Sequence, residues 1–467
     1  MTLRGVRRRA RARRTALVAF LAVMGPGIIT GFAGNDAGGV ATYTTVGAHH
    51  GYSLLWLLLL ASVSLLVVQE MCARMGTVTG KGLSDLIRER FGVRWTIVAM
   101  LALFVANASN VVAEYAGIAA SLGLIGVPAI VSVPAAGVLV WALIVFASYH
   151  IVERTLFALI LVFVAYPISV AILRPDWGEV GRGFVPGLPA EPAALAAALA
   201  LVGTTVTPYL LFYLQASVVD KGIDRRSFAS ARLDVIMGAT LAGLFAFFIV
   251  LVSGTVLFPA SVPVDTAEEA ARALRPLAGN AAGLLFGMGL LGASLLGAIV
   301  MPLSTSYAIC EAFGWESGIS KNFGEAPVFM GLVTALLVAG GVVVLLFPEE
   351  LLLRLILASQ AVNGMLLPIV LVFIVRLAAD RSVMGADANG PLRAALGWGV
   401  AGLTGILSIA FIVARALGVV GGPEHWGLSP GAGGSLSSRK GRPFRYERSP
   451  PALPTTPPPA LTTVARR

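Results

Sequence analysis

Apolar residues run through this chain in long blocks separated by short polar connections. Windows of hydropathy resolve eleven apolar spans, near residues 16–48, 53–75, 95–122, 127–148, 154–173, 193–219, 233–258, 281–313, 328–347, 351–377 and 393–418. Blocks of roughly 20 apolar residues are long enough to cross a bilayer as helices. The pattern predicts an all-α integral membrane protein. Two connections are longer, 174–192 and 259–280. Pro186, Pro189 and Pro192 mark the first as a loop; Pro259, Pro263 and a charged helix-like piece around Glu268 mark the second.

Two spans contain residues that a lipid-facing helix should not carry. The first is interrupted by Gly34-Asn35-Asp36-Ala37-Gly38-Gly39, the sixth by Gly203-Thr204-Thr205-Val206-Thr207-Pro208-Tyr209. Backbone unwound at membrane depth loses its helical partners and survives only beside a protein-lined or hydrated cavity. A carboxylate at that depth, Asp36, points to a substrate or ion site. Paired breaks in corresponding spans are the sequence pointer to a transporter's site, and they divide the chain into spans 1–5 and 6–10, an inverted repeat with span eleven added. The predicted ligand is a cation.

The 467 residues are 57% hydrophobic and 12% charged, with a mean hydropathy of +0.86. Soluble domains carry about 25% charged residues, so most of this chain belongs in lipid. The net charge of +10 sits largely in a basic arm, residues 1–15, and in a tail, residues 421–467. That placement suits anionic lipid and argues against nucleic acid. The arm's run from Arg4 to Arg14 lacks a small-residue cleavage site and reads as a cytoplasmic anchor rather than a cleaved leader. The Pro-, Ser-, Gly- and Arg-rich tail cannot bury a core and is expected to be disordered. Residues 16–420 form the expected transporter domain. With the N-terminus inside, Lys81, Arg88, Arg90, Arg94, Arg154, Lys221, Arg225, Arg226, Arg232, Lys321, Arg376, Arg381 and Arg393 fall in cytoplasmic loops. Arg174, Arg182, Arg272 and Arg275 fall outside. The asymmetry predicts a plasma-membrane protein with a cytoplasmic N-terminus and an external C-terminus. Cys72 and Cys310 lie in or beside apolar spans and are expected to pack, not to pair.

The residues around the breaks resemble a known family. Gly25-Pro26-Gly27 through Asp36-Ala37-Gly38-Gly39, and then Gly47-Ala48-His49-His50-Gly51-Tyr52-Ser53-Leu54-Leu55-Trp56, are similar to the first span of the Nramp metal-ion transporters. Gln69, Arg74-Met75-Gly76, Thr79-Gly80-Lys81 and the stretch from Leu83 to Arg90 resemble its second span and loop. Thr205-Val206-Thr207-Pro208-Tyr209 matches the broken sixth span. Ser359-Gln360, Leu367-Pro368, Arg376, Asp380-Arg381 and Val383-Met384-Gly385 resemble the tenth span and its exit. The resemblance implies a LeuT-type fold with a divalent-cation site between spans one and six.

Departures from the family pattern define the site further. The pattern Asp-Pro-Gly-Asn becomes Asp36-Ala37-Gly38-Gly39, which keeps the carboxylate and loses the amide ligand. Met-Pro-His becomes Thr207-Pro208-Tyr209, which removes a thioether and an imidazole. An acidic pair in span three is reduced to Glu114, with Val111 at the other position. These changes resemble the Nramp-related magnesium transporters. Independently of the name, hydroxyl, carbonyl and carboxylate oxygens suit Mg²⁺ and Mn²⁺, whereas a thioether favours softer metals. Mg²⁺ keeps several waters while touching one or two carboxylates.

The expected metal site is therefore Asp36, Gly39, Thr204, Thr207 and Gln360, with Tyr209, Glu114 and Asn363 as pathway residues. Each has a plainer role available. Asp36 can cap a helix, Thr207 can bond the preceding turn, Gly39 can serve close packing, and Gln360 can join helices. His49, His50, His150 and His425 form no cluster, and Gly287, Met288, Gly289 and Gly292 are a packing surface. With no P-loop, nucleophile elbow or HExxH, no enzyme, cofactor or obligatory protein partner is expected. The expected function is import of Mg²⁺, together with Mn²⁺, by alternating access without proton coupling. Its rivals are a proton-coupled Mn²⁺/Fe²⁺ symporter, an organic-solute (amino-acid) carrier of the same fold, and a non-transporting receptor. Asp36 opposes a substrate carboxylate, and a receptor would need a soluble ligand-binding domain.

Overall fold

The computed structural model describes residues 25–188, 192–260 and 280–417. The basic arm, most of the loop around Glu268 and the tail lie outside the described residues. Span one is two half-helices, α1 (Pro26–Ala33) and α2 (Ala37–His50). Span two is α3 (Leu55–Thr79), followed by the short α4 (Leu83–Phe91). Then come α5 (Val93–Gly123), α6 (Ala129–Phe146), α7 (Tyr149–Val162) and α8 (Ala165–Leu173). The sixth span is α10 (Pro192–Thr205) and α11 (Pro208–Asp220), preceded by the six-residue α9 (Trp177–Arg182). The remaining helices are α12 (Phe228–Ala260), α13 (Asn280–Phe313), α14 (Pro327–Leu346), α15 (Glu349–Ala379), α16 (Arg381–Met384) and α17 (Pro391–Ala416). Among the described residues, ten spans are long and apolar enough to cross a membrane. The broken α1–α2 pair supplies a further apolar stretch.

Two expectations need correcting. The loop 174–192 contains a helix, α9, because Asp176 caps it by accepting the Gly178 N–H at 2.8 Å. The fifth span begins at Tyr149 rather than near residue 154. Ser148 is extended there and starts the helix, and Arg154 sits within the span's first turns.

The broken helices cross head to tail. α11 packs on α1, and α10 packs on α2. α12 lies along both halves of span one, and glycines permit the close approach. A Cβ on Gly27 would stand 2.5 Å from the Val235 nitrogen, and one on Gly31 2.5 Å from the Gly238 carbonyl. In lipid, where apolar burial drives little association, such small-residue contacts supply the packing. Asp234 of α12 then ties down the start of α1. Its carboxylate accepts backbone N–H bonds from Gly25 at 3.2 Å, Gly27 at 2.6 Å and Ile28 at 3.3 Å. These are the orphan donors of a helix N-terminus, satisfied here from another helix.

Buried Arg74 of α3 donates to the Asp387 carbonyl at 2.7 Å and to the Asn389 side chain, fixing the exit of α15 against α3. Cys72 and Cys310 are both buried and free, as expected. Large apolar side chains such as Ile130, Val138, Ile406 and Ile409 point outward, the arrangement of a protein solvated by lipid.

Candidate metal site at the paired helix breaks

Local chemistry ends α1 at Ala33. Gly34 and Asn35 turn back to the carbonyls of Gly31 and Phe32. Asn35 also donates to the Ala242 carbonyl of α12 at 3.0 Å, which anchors the unwound segment. Asp36 is extended and becomes the N-cap of α2, its Oδ1 accepting the Gly39 N–H at 2.6 Å. The plain role foreseen for Asp36 is therefore real. It does not exhaust the group, because an ionised carboxylate offers about four acceptor directions.

In span six, Pro208 lacks an N–H and biases Thr207 away from helical backbone. Thr207 is extended accordingly, and α11 restarts at Pro208. Tyr43 of α2 bonds Thr205 of α10 at 3.0 Å, stitching the two breaks together. The Tyr209 hydroxyl stands 2.8 Å from Asp36 Oδ2 and 2.7 Å from the Ala33 carbonyl, so its one proton is shared between them. The C-terminal carbonyls of α1 and α10 also face this region and carry partial negative charge, which favours a cation.

Two further helices close the site. Glu114 of α5 accepts the Ala37 N–H at 3.2 Å, one residue from Asp36. Gln360 of α15 lies against Gly38, where a Cβ would collide with its amide nitrogen. Gln360 also reaches Asn110 of α5 at 3.4 Å. Asp36, Glu114, Thr204, Thr207, Tyr209 and Gln360 are all at most 2% exposed.

Most of the expected site thus converges. Asp36, Tyr209, Glu114 and Gln360 meet around residues 36–39. Thr204 joins them through its hydroxyl, 3.4 Å from the Cβ position of Gly39. The Thr204 carbonyl accepts the Thr207 hydroxyl at 3.2 Å, which gives Thr207 its plainer, back-bonded role and leaves the lone pairs of its oxygen open. Gly39 is held by packing as well as facing the site, since a Cβ there would stand 2.6 Å from the Gly34 carbonyl. Asn363 lies one turn along α15, buried, with no bond to Asp36.

Sequence reasoning missed Asn107 and Asn110. With Glu114 they occupy one face of α5 at helical spacing, a polar stripe on an otherwise apolar span, and that spacing was the available signal. Glu114 Oε1, Thr204 Oγ1, Gln360 Oε1 and Asn107 Oδ1 are among the buried acceptor atoms with no hydrogen-bond partner among the described residues. No group of three His, Cys, Asp or Glu converges among the described residues. The donor set is hard oxygen, suited to a cation that is weakly polarisable and partly hydrated.

Comparison with known proteins gives the family and the fold. The family model described as "Natural resistance-associated macrophage protein-like" matches residues 27–414. A "Divalent metal cation transporter MntH" from Ralstonia nicotianae is 31% identical over 407 residues, covering 80% of this chain and 86% of the relative. One of the same name from Xylella fastidiosa is 30% identical over 414 residues, covering 84% and 85%. Among solved structures, the Eremococcus coleocola manganese transporter in complex with an aromatic bis-isothiourea substituted compound superposes with a TM-score of 0.73 at 22% identity, covering 86% of this chain and 88% of that one. MhsT in complex with L-phenylalanine superposes with a TM-score of 0.54 at 14% identity, covering 85% and 97%. The fold is of the LeuT type, and the chain belongs to the Nramp family of membrane transporters.

Proposed function

We propose that this chain carries a divalent metal cation across the membrane by alternating access, with Mg²⁺ the preferred ion and Mn²⁺ also accepted. The names of its relatives support the cation class, and the oxygen-only chemistry at the breaks supports the preference. The observation that carries the reading is Asp36, set between two interrupted helices with Glu114 on the adjacent Ala37 N–H, the Thr204 hydroxyl beside Gly39 and the Gln360 amide against Gly38. In this reading Asp36 compensates the ion's charge, and Gln360, Thr204 and Thr207 hold the ion or its waters. This assignment matches the Nramp-related magnesium branch.

The same reading has transport uncoupled from protons. Tyr209 stands where the family pattern has histidine, and it donates to Asp36 instead of relaying a proton. Gln215, at the next histidine position of the family pattern, donates to the Lys81 carbonyl at 2.9 Å and does not titrate. An inward-negative potential gives a divalent ion roughly 4.6 kcal/mol per 100 mV, twice the single-charge value, and suffices to drive uptake. The lysines and arginines of the 80–94 and 221–232 connections mark the cytoplasmic face, with the N-terminus inside and the C-terminus outside.

The test is a proteoliposome flux assay comparing Mg²⁺, Mn²⁺ and Ca²⁺ under a fixed potassium–valinomycin potential, with a pH dye inside. Mg²⁺ uptake without acidification is expected. Absence of Mg²⁺ flux rejects the ion assignment, and metal-dependent acidification that scales with flux and disappears in Asp36→Asn rejects uncoupled transport.

A further inference from the structure

The polar stripe on α5 faces a second stripe on α15. The two helices run antiparallel, as three contacts show. Arg90, just before α5, pairs with Asp380 at the end of α15 at 2.6 Å. The Phe91 and Phe373 ring centroids are 4.7 Å apart. Asn110 meets Gln360 at 3.4 Å. Residue numbers fall along one helix as they rise along the other, so Asn107 and Asn363 both lie one turn beyond the Asn110–Gln360 pair, on the side of Arg90 and Asp380.

The result is a ladder of four carboxamides. It begins at Gln360, which touches Gly38 at the first break. From there it descends toward the helix ends that carry Arg90 and Asp380. All four side chains are at most 1% exposed. Asn107 uses its amide nitrogen on Thr305 of α13 at 2.8 Å. Asn107 Oδ1, Asn110 Nδ2, Gln360 Oε1 and Asn363 Nδ2 have no hydrogen-bond partner among the described residues. Buried amides are ordinarily satisfied, so one orphaned atom on each of four neighbouring groups calls for a ligand. The amides are neutral. They neither bind a bare divalent ion as a carboxylate would nor repel it, and each can accept from one water and donate to another. Turning an amide by 180° exchanges these roles without moving the helix.

We propose that Asn107, Asn110, Gln360 and Asn363 form a second, neutral station that holds the water shell of the ion between Asp36 and the Arg90–Asp380 end of the bundle. This inference rests on the divalent-cation reading above and extends it. An ion that keeps its waters, Mg²⁺ above all, passes such a station bound through those waters. An ion that sheds water readily gains less from it. The ladder is therefore a determinant of ion preference apart from the charge at Asp36.

The experiment measures Mg²⁺ and Mn²⁺ flux into liposomes for the full chain, Asn107→Leu and Asn107→Asp, with Mn²⁺ calorimetry on the same detergent-solubilised proteins. Asn107→Leu keeps the branched outline of the side chain and removes its acceptor, together with the donor to Thr305. It should lower Mg²⁺ flux about ten-fold or more and Mn²⁺ flux less than three-fold, while Mn²⁺ affinity at Asp36 stays within about three-fold. Wild-type Mg²⁺ flux in that variant, or equal losses for both ions, overturns the proposal. If Asn107→Leu does not fold, Asn107→Asp decides. A carboxylate at the station should lower the KM for Mg²⁺ at least three-fold, and an unchanged KM overturns the proposal. A full chain that moves no Mg²⁺ rejects the parent reading as well, whereas wild-type Mg²⁺ flux with silent Asn107 variants rejects the ladder alone.

Discussion

Asp36→Asn separates the two roles of this carboxylate, because asparagine is as good an N-cap as aspartate and has no charge. In the variant, an amide oxygen can keep the 2.6 Å bond from the Gly39 N–H. The amide nitrogen then donates to the Tyr209 hydroxyl, whose proton turns wholly to the Ala33 carbonyl. The fold should therefore lose no more than about 1 kcal/mol. Ion binding loses far more. Two unit charges 4 Å apart interact by about 4 kcal/mol at an effective dielectric constant near 20, so a divalent ion gains about 8 kcal/mol gross from Asp36. Dehydration of both partners offsets most of that gain. A net third of it, about 2.7 kcal/mol, corresponds to a loss of affinity of about 100-fold. The assay is Mn²⁺ calorimetry and Mg²⁺ flux on the purified variant, with thermal unfolding as the control. A variant with near-wild-type melting and affinity within about three-fold of wild type would show that Asp36 only caps α2, and the site assignment would fail.

Thr207→Met forfeits one hydroxyl bond to the Thr204 carbonyl, about 1 kcal/mol, and supplies a soft donor. Affinity for Mn²⁺ or Cd²⁺ relative to Mg²⁺ should rise about ten-fold by calorimetry, and an unchanged ratio rejects the hard-site explanation. The companion change at Gly39 cannot restore an asparagine ligand freely, since any Cβ meets the Gly34 carbonyl at 2.6 Å. Gly39→Ala should destabilise by about 1–3 kcal/mol, and a wild-type melting temperature would contradict the packing argument. At the end of α15, Asp380 accepts bonds from the Ser382 hydroxyl and N–H and pairs with Arg90, which together hold its carboxyl below the usual range. A depressed folded value means its stabilisation is complete above the unfolded carboxylate value and is lost as pH falls through the lower folded value. Melting should thus drop on the acid side below about pH 4, and Asp380→Asn should flatten that drop. A variant with an unaltered acid limb would remove Asp380 from the account.

The breaks were legible because their causes are local. Glycine, asparagine and aspartate end α1 within four residues of one another, and Thr207-Pro208 halts α10 by the geometry of a single peptide. The spans were legible from hydropathy, and Asp36 from its depth. What escaped depends on partners distant in sequence. Asp234 caps α1 from 207 residues away, and nothing near it in α12 shows that its three donors exist. Glu114 reads from the sequence as a pathway residue, with no sign of a backbone partner. The structure puts it on the Ala37 N–H, because α5 and α2 pack together there. The asparagines of α5 carry a helical spacing that the reading of the sequence passed over, and such a stripe says only that something polar faces it. The opposing amides appear once the register with α15 is known. The placement of the Thr204 hydroxyl beside Gly39, with its carbonyl accepting the Thr207 hydroxyl, appears once the two breaks are packed together.

The arrangement of acceptors also bears on which ion the site suits. Oδ1 of Asp36 is committed to the Gly39 N–H, and Oδ2 receives the Tyr209 hydroxyl. Of about four acceptor directions on the carboxylate, two are taken. A fully dehydrated cation wants several short contacts to oxygen, and Asp36 can spare few without breaking its cap or displacing Tyr209. Glu114 Oε1, Thr204 Oγ1 and Gln360 Oε1 are unpartnered oxygens on three different helices. Glycines 38 and 39 put no side chain between them and Asp36. Waters around an ion point their hydrogens outward and seek such acceptors at hydrogen-bond distance. A cation that keeps part of its shell satisfies these oxygens and leaves the cap intact. One that must be stripped competes with the hydrogen bonds that shape the break. On the proposed reading, these demands at Asp36 would favour the ion that sheds water most reluctantly.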